Sequence, residues 1–241
     1  MIAALPMYDR PEIRWANETF WAHIRDALRD MQIAAPDALT GDGDPWAIWQ
    51  DPGLVLAQTC GLPFRARLHD KVALVATPDY GLPGCPPGYY NSVIIARPGP
   101  LPHRPRLAIN DPLSQSGWAA LATWIAAQDI APGPVTVTGA HAASARAVAD
   151  GLADLAAIDA QTWRLLLRHA NADPALAIAR TPPTPGLPLI TAIGHAPGDI
   201  AKAVAQGLAA LDPKARAALD LQGIVQIDKA AYLAQPLPPV P

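Results

Sequence analysis

Residues 110–118 read Asn-Asp-Pro-Leu-Ser-Gln-Ser-Gly-Trp, and they join a predicted strand, Leu107–Asn110, to a predicted helix that begins after Ser116. The apolar residues that follow recur at helical spacing from Trp118 to Ile125. The turn therefore presents the Ser114 and Ser116 hydroxyls, together with unpaired backbone N–H groups, at a helix N-terminus. Such a terminus attracts anions, although either serine could equally be a simple N-cap.

Short apolar runs alternate with helical patterns along the whole chain, which is typical of α/β architecture. Several runs are uniformly apolar, as expected for parallel strands that are covered on both faces. Further helices are predicted after Asn17, over 142–150 and over 199–211. The predicted strands are Ile2–Leu5, Leu54–Gln58, Val72–Ala76, Val93–Ala96, Leu107–Asn110, Val135–Thr138, Leu155–Ile158, Leu176–Ala179 and Leu189–Thr191.

A second turn of the same kind is Thr138-Gly-Ala-His-Ala-Ala-Ser, which follows a predicted strand and opens a helix with His141 and Ser144 in its first turn. Ligands of open α/β sheets bind at the carboxyl ends of the strands. Two helix N-termini from neighbouring strand–helix units should point into one crevice there. The pair of turns favours a ligand site over capping alone.

Other candidate residues lie at further strand ends. Asp159 ends a predicted strand, where it could accept from an amino or hydroxyl group of a ligand or could cap the following helix. The remaining candidates sit at two strand ends near the start of the chain and on a segment that we expect to cross between lobes: Tyr8, Asp9, Thr59, Tyr90 and Ser92.

Two segments look like crossings between two lobes, one at 89–97 and one proline-rich at 181–188. Residues 1–91 with 185–241 are predicted to form one discontinuous lobe, and residues 92–184 the other. The ligand would lie in the cleft between them. The closing Gln-Pro-Leu-Pro-Pro-Val-Pro is predicted to be an extended tail.

Charge and motif content exclude several classes of protein. The net charge is -3 without blocks of Lys or Arg, which argues against nucleic-acid binding. The apolar runs are too short to span a bilayer, so we expect no membrane insertion. The six histidines lack metal-ligand spacing and no phosphate-binding or dinucleotide-binding glycine motif occurs, so we expect no metal, no cofactor and no catalytic residue.

The redox state and the compartment stay open. Cys60 and Cys85 could form a disulfide in an oxidising compartment, or could be two reduced thiols. No signal-peptide pattern opens the chain. The protein is therefore expected to be periplasmic if a leader has been removed, and cytoplasmic otherwise.

Six stretches together resemble the phosphate/phosphonate-type solute-binding proteins of ABC transporters. They are Leu-Pro-Met-Tyr-Asp at 5–9, Ala-Gln-Thr-Cys-Gly-Leu-Pro at 57–63, Gly-Tyr-Tyr-Asn-Ser-Val-Ile-Ile-Ala-Arg at 88–97, Ser-Gln-Ser-Gly at 114–117, Gly-Ala-His-Ala-Ala-Ser at 139–144 and Ala-Asp-Leu-Ala-Ala-Ile-Asp at 153–159. The resemblance implies a type II periplasmic-binding-protein fold.

The resemblance also implies which residues hold the ligand. In phosphonate binders the serine turn and the His/Ser turn grip the anionic head, and those roles would fall on Ser114, Ser116, Gly117, His141 and Ser144. Tyr90 and Asp159 would be the next candidates. Gln115 stands where we expect a small hydroxyl residue in phosphonate binders.

The leading hypothesis is a monomeric protein that binds a small, phosphate- or phosphonate-like anion without chemistry and serves an ABC permease. The alternative is a cytoplasmic enzyme of the same fold that acts on a small carboxylate or a cofactor precursor, as in menaquinone or thiamine synthesis. A third hypothesis is a scaffold module. Asp159, His141 or Asp9 would be the acid/base residues of the enzyme.

Overall fold

The computed structural model describes residues 1–41 and 43–241. The strands are β1 (Ile2–Ala4), β2 (Leu54–Gln58), β3 (Val72–Asp79), β4 (Tyr89–Tyr90), β5 (Ser92–Ala96), β6 (Leu107–Ile109), β7 (Val135–Val137), β8 (Leu155–Asp159), β9 (Ala177–Arg180), β10 (Thr184–Pro185), β11 (Leu189–Ala192) and β12 (Gly223–Val225).

The α-helices are α1 (Arg14–Asp30), α2 (Pro45–Trp49), α3 (Gly61–Pro63), α4 (Ala120–Ala127), α5 (His141–Ala149), α6 (Ala160–His169), α7 (Pro197–Ala210), α8 (Pro213–Leu219) and α9 (Lys229–Leu233). Two π-helical turns, Phe64–Leu68 and Gln115–Ala119, continue α3 and precede α4, and a 3₁₀ turn spans Pro174–Leu176.

The chain divides into two compact units. The first consists of Met1–Tyr89 and Pro185–Ala234, and the second of Tyr90–Thr184 and Gln235–Pro241. The tail, which the sequence analysis places with the first lobe, thus belongs to the second unit. The boundary between the units lies at 89/90, inside the predicted crossing 89–97 and two residues before the expected lobe boundary at 91/92.

The first unit contains a five-stranded sheet in the order β1-β2-β11-β3-β12. β1 and β2 are parallel, whereas β11 runs antiparallel to both β2 and β3, and β12 runs antiparallel to β3. Every residue of β2 is buried, and its Leu54 and Ala57 share a core with Phe64 and Tyr232. Tyr232 is anchored there by a hydrogen bond of 2.7 Å between its hydroxyl and that of Thr77.

The second unit contains the sheet β7-β6-β8-β5-β9. β6 is parallel to β7 and to β8, while β5 is antiparallel to β8 and to β9. All five residues of β5 are buried, so burial on both faces does not require a parallel neighbour. The expectation that uniformly apolar runs mark parallel strands is therefore wrong for β5 and for β11.

Helix α1 begins earlier than the sequence predicts. Its N-cap is Ile13, and Asn17 lies inside the first turns of the helix with only 7% of its surface exposed. The Asn17 side-chain nitrogen donates to Asp9 Oδ1 at 3.2 Å. A half-buried partner therefore holds this asparagine in the helix, although its residue type favours an N-cap.

The C-terminal tail is held by one well-defined contact. The Trp118 indole Nε1 donates to the Pro239 carbonyl oxygen at 2.6 Å, and the indole itself is 4% exposed. Trp118 lies in the Gln115–Ala119 turn, so the tail is attached to the helix that the serine turn begins.

Trp118→Phe is expected to lower the free energy of unfolding by about 1 kcal/mol more in the full chain than in a chain shortened to residue 234, because only the full chain loses the hydrogen bond to Pro239. Urea denaturation measures the change. The smaller ring also leaves a cavity in the core that contains Trp118, and that part of the loss is common to the two backgrounds. Equal losses in the two backgrounds would contradict a role for the tail contact.

Candidate functional site

The carboxyl ends of β6, β7 and β8 meet at one edge of the second unit's sheet, because these three strands are mutually parallel neighbours. Each strand is followed at that edge by a helix, which begins at Gln115, His141 or Ala160. The start of β5 lies at the same edge, since Ser92 pairs with Asp159. The edge thus collects three helix N-termini, whose first N–H groups have no intrahelical acceptor.

The first helix start is capped by Ser114, whose Oγ accepts from the Gly117 backbone N–H at 2.9 Å. For Ser114 the N-cap alternative is therefore correct. Gln115 and Ser116 are also buried, with 6% and 4% of their surfaces exposed. The four consecutive residues of 114–117 are thus all buried at this edge. Polar residues that only cap a surface helix are usually exposed.

The second helix start is joined to the first by a side-chain hydrogen bond. Ser116 Oγ lies 2.9 Å from His141 Nε2, where His141 is the first residue of α5. Ser144, one turn into α5, is fully buried, and its hydroxyl pairs with that of Thr138 at 2.7 Å. The two predicted turns therefore meet through the Ser116–His141 contact. The Ser144–Thr138 contact fixes α5 to the end of its own strand, β7.

His141 is a neutral group at ordinary pH. Burial lowers the pKa of its imidazole from 6.5 to about 4, because a charged ring would lose its hydration there. The lowered pKa means that His141 contributes a hydrogen-bonding ring rather than a positive charge.

The third helix start is capped by Asp159, whose Oδ1 accepts from the Thr162 backbone N–H at 2.8 Å. Asp159 therefore caps α6 through Oδ1, which confirms one of its two predicted roles. Ser92 and Tyr90 are each 2% exposed, and the Ser92 N–H donates to Thr181 Oγ1 at 2.9 Å.

Three predicted site residues belong to the first unit. The Tyr8 ring packs edge-on against Tyr80 with centroids 4.9 Å apart, and Thr59 is fully buried. The Asp9 carboxylate accepts from Arg14 Nε at 2.9 Å as well as from Asn17. A role for Tyr8, Asp9 and Thr59 in ligand binding stays a prediction.

Three residues at the second unit's edge were not singled out from the sequence. Asn110 follows β6 directly, and its Oδ1 is buried without a hydrogen-bond partner within residues 1–41 and 43–241. Asn91 and Arg180 are hydrogen-bonded to each other at 3.1 Å. Asn110 and Asn91 lie within two of the sequence motifs, 110–118 and 88–97. Arg180 lies in neither, and only the strand register brings it to the same edge.

Among the described residues, no group of three or more His, Cys, Asp or Glu side chains could hold a metal ion. No described helix combines the length and the apolar character that crossing a membrane requires. Cys60 and Cys85 are half-buried thiols, so the disulfide alternative does not hold in this structure.

Sequence comparison finds a family that covers most of this architecture. Residues 56–232 match the family described as the ABC transporter, phosphonate, periplasmic substrate-binding protein. The chain belongs to this phosphonate-binding family. The match includes the serine turn, the His/Ser turn and Asp159, and comparison with curated proteins finds no match.

Solved structures share the fold of this phosphonate-binding-family protein. PhnD1 from Prochlorococcus marinus, in complex with methylphosphonate, superposes with a TM-score of 0.69 at 13% identity, over 96% of this chain and 94% of that one. A Xanthomonas citri protein bound to ATP gives 0.66 at 16% identity, over 95% and 92%. A binding protein component of a Pseudomonas aeruginosa ABC phosphonate transporter gives 0.65 at 17%, over 97% and 82%.

These findings confirm the type II periplasmic-binding-protein fold and the resemblance that the sequence motifs indicate. The family consists of solute-binding proteins of transporters, not of enzymes, so the chain is a solute-binding protein with a small-molecule ligand.

Proposed function

We propose that the second unit binds a phosphate- or phosphonate-like oxyanion at the edge where β6, β7 and β8 end. The ligand oxygens would be held by Ser116, Gly117 and His141 and by the first-turn N–H groups of the two helices. Ser114 and Ser144 would keep the two turns in place, and Gln115, Tyr90, Ser92 and Asp159 would surround the remainder of the ligand.

The observation that carries this proposal is the 2.9 Å hydrogen bond between Ser116 Oγ and His141 Nε2. These residues are 25 positions apart and open helices that follow neighbouring strands. An N-cap side chain accepts a hydrogen bond from a backbone N–H of its own helix. The Ser116–His141 contact instead joins the N-termini of two different helices. The result is a cluster of donors and dipole ends that suits one oxyanion.

In the two turns, the positive potential that attracts an anion comes from helix dipoles and N–H groups and not from cationic side chains. No Lys or Arg occurs in 114–117 or 139–144, and the low pKa of about 4 keeps His141 neutral. Binding by neutral donors should depend weakly on salt compared with binding by exposed cations. It should also select an anion by the positions of its oxygens, since the donors are fixed by buried backbone.

The family supports the finer parts of the proposal. We propose that the protein works in the periplasm and delivers its ligand to an ABC permease, in line with the family's description. We also propose that it acts as a monomer. Methylphosphonate, which PhnD1 holds, is the first ligand to test, beside inorganic phosphate.

The test is a thermal-shift and calorimetric titration of the full chain with methylphosphonate and with phosphate. We expect the melting temperature to rise with ligand concentration. Ser116→Ala should weaken binding at least tenfold, because a hydrogen bond to an anion is lost and His141 is left without its partner.

The matched control is Thr136→Ala, which removes an exposed hydroxyl from the middle of β7 and should leave the affinity unchanged. Absence of any shift with either anion at millimolar concentration would refute the proposal. So would equal losses of affinity in the two variants.

A further inference from the structure

The Arg180 side chain reaches along the sheet towards the edge that carries the candidate site. Its Cα pairs with Val93 of β5, yet its Nη1 donates to Asn91 Oδ1 at 3.1 Å. Asn91 directly precedes β5 and lies two residues before Val93, a distance of about 7 Å along an extended chain. Because β5 starts where β8 ends, the guanidinium is carried to the edge of the three helix N-termini.

Asn91 is a rigid support for this arginine. It is 5% exposed, and its backbone carbonyl accepts from the Ala160 N–H at 3.0 Å, at the start of α6. The guanidinium is therefore attached to a residue whose backbone is fixed by the neighbouring helix. A supported arginine loses less conformational entropy on binding a ligand than a mobile one.

Arg180 and Asn91 keep hydrogen-bond donors that do not bind other protein groups. In the part of the chain that the structure describes, no carboxylate lies within ion-pair distance of Arg180, and no group accepts from Asn91 Nδ2. Arg180 is exposed, so its other N–H groups face solvent. A buried amide with a vacant donor beside an unpaired guanidinium is a combination that suits a carboxylate or a phosphate.

We propose that Arg180 and Asn91 form a second subsite, which binds a further negatively charged group of the same ligand. This proposal rests on the proposed function, because the first anionic group occupies the cluster around Ser116 and His141. It narrows the ligand class to molecules with two anionic ends.

The sheet order gives the smallest spacing between the two ends. β5 is separated from β6 by β8 alone, so at least two strand spacings, about 10 Å, lie between Asn91 at the start of β5 and the turn that follows β6. A methylphosphonate-sized ligand cannot touch both. Asp159 ends the intervening strand β8, and its carboxylate favours a neutral or positively charged middle part of the ligand.

A purely structural role of the Arg180–Asn91 contact makes a different prediction. If the contact only fastens the end of β9 to β5, its loss should change stability and leave ligand discrimination unaltered. Comparison of two ligands that differ in one charge separates these roles without any substitution.

The experiment uses isothermal titration calorimetry of the full chain with butylphosphonate and with 4-phosphonobutyrate, which share a head group and chain length and differ by a terminal carboxylate. We expect 4-phosphonobutyrate to bind about tenfold more tightly, as for one charge-assisted hydrogen-bonded pair. Arg180→Gln should abolish that difference and leave butylphosphonate unaffected.

The control is Arg104→Gln. Arg104 is also exposed and hydrogen-bonded, to the Pro132 carbonyl at 3.2 Å, but it precedes β6 and so lies at the opposite edge of the sheet. Equal affinities of the wild-type protein for the two phosphonates would overturn the subsite and leave the proposed function intact. Failure of every phosphonate and of phosphate to bind would instead overturn the proposed function, and the subsite with it.

Discussion

Gly117→Ala is expected to abolish oxyanion binding and to lower the free energy of unfolding by about 2 kcal/mol. A Cβ at this position would overlap Asn110 Oδ1 and would lie 3.0 Å from both Asn110 Cγ and Ser114 Oγ. The turn is buried, so the overlap must be relieved by moving Asn110 or by displacing the helix start. Displacement would break the Gly117 N–H to Ser114 Oγ bond of 2.9 Å and shift the donors that grip the ligand.

Thermal denaturation and calorimetric titration of the variant measure the two losses. The matched control is the double variant Asn110→Ala/Gly117→Ala, in which the obstructing side chain is absent and the stability loss should be much smaller than in Gly117→Ala. Normal stability and normal affinity of the single variant would show that the turn is not closely packed against Asn110.

Acid is expected to destabilise the wild-type protein by up to about 3 kcal/mol more than His141→Gln between pH 7 and pH 4. The folded protein lowers the pKa of His141 to about 4 from 6.5. Below pH 6.5 the unfolded chain therefore binds a proton that the folded chain does not, and protonation favours unfolding. The stability contribution is fully present above pH 6.5 and is lost as the pH falls towards 4.

Urea denaturation of both proteins at several pH values measures this contribution, because the difference between the two profiles cancels the titration of all other groups. The wild-type profile should be steeper than that of His141→Gln between pH 6.5 and pH 4. Parallel profiles would mean that the imidazole has an ordinary pKa and that burial does not keep it neutral.

The local signals in the sequence predict much of the second unit. A simple pattern is enough to place β6, β7 and the helices after them. It consists of an apolar run of three or four residues, a turn that carries Ser or His, and apolar residues at helical spacing. These features depend on residues close together in the chain, where periodicity and capping chemistry act.

Long-range pairing accounts for what the sequence could not predict. Uniform apolarity does not reveal that β5 and β11 run antiparallel to their neighbours, because an antiparallel strand covered on both faces shows the same pattern. Asn17 is a good N-cap residue, yet a half-buried hydrogen bond to Asp9 keeps it inside α1. Arg180 reaches the site only through its pairing with Val93 and the length of its side chain.

The bond between Trp118 and Pro239 has a practical consequence for labelling. Gly117 and Trp118 are adjacent, so the indole that holds the tail moves with the turn proposed to hold the anion. A dye attached after Pro241 would be tethered only a few residues from that indole, close enough for contact quenching. The C-terminus is thus a natural attachment point for an optical sensor of the bound anion, and a poor one for a bulky purification tag.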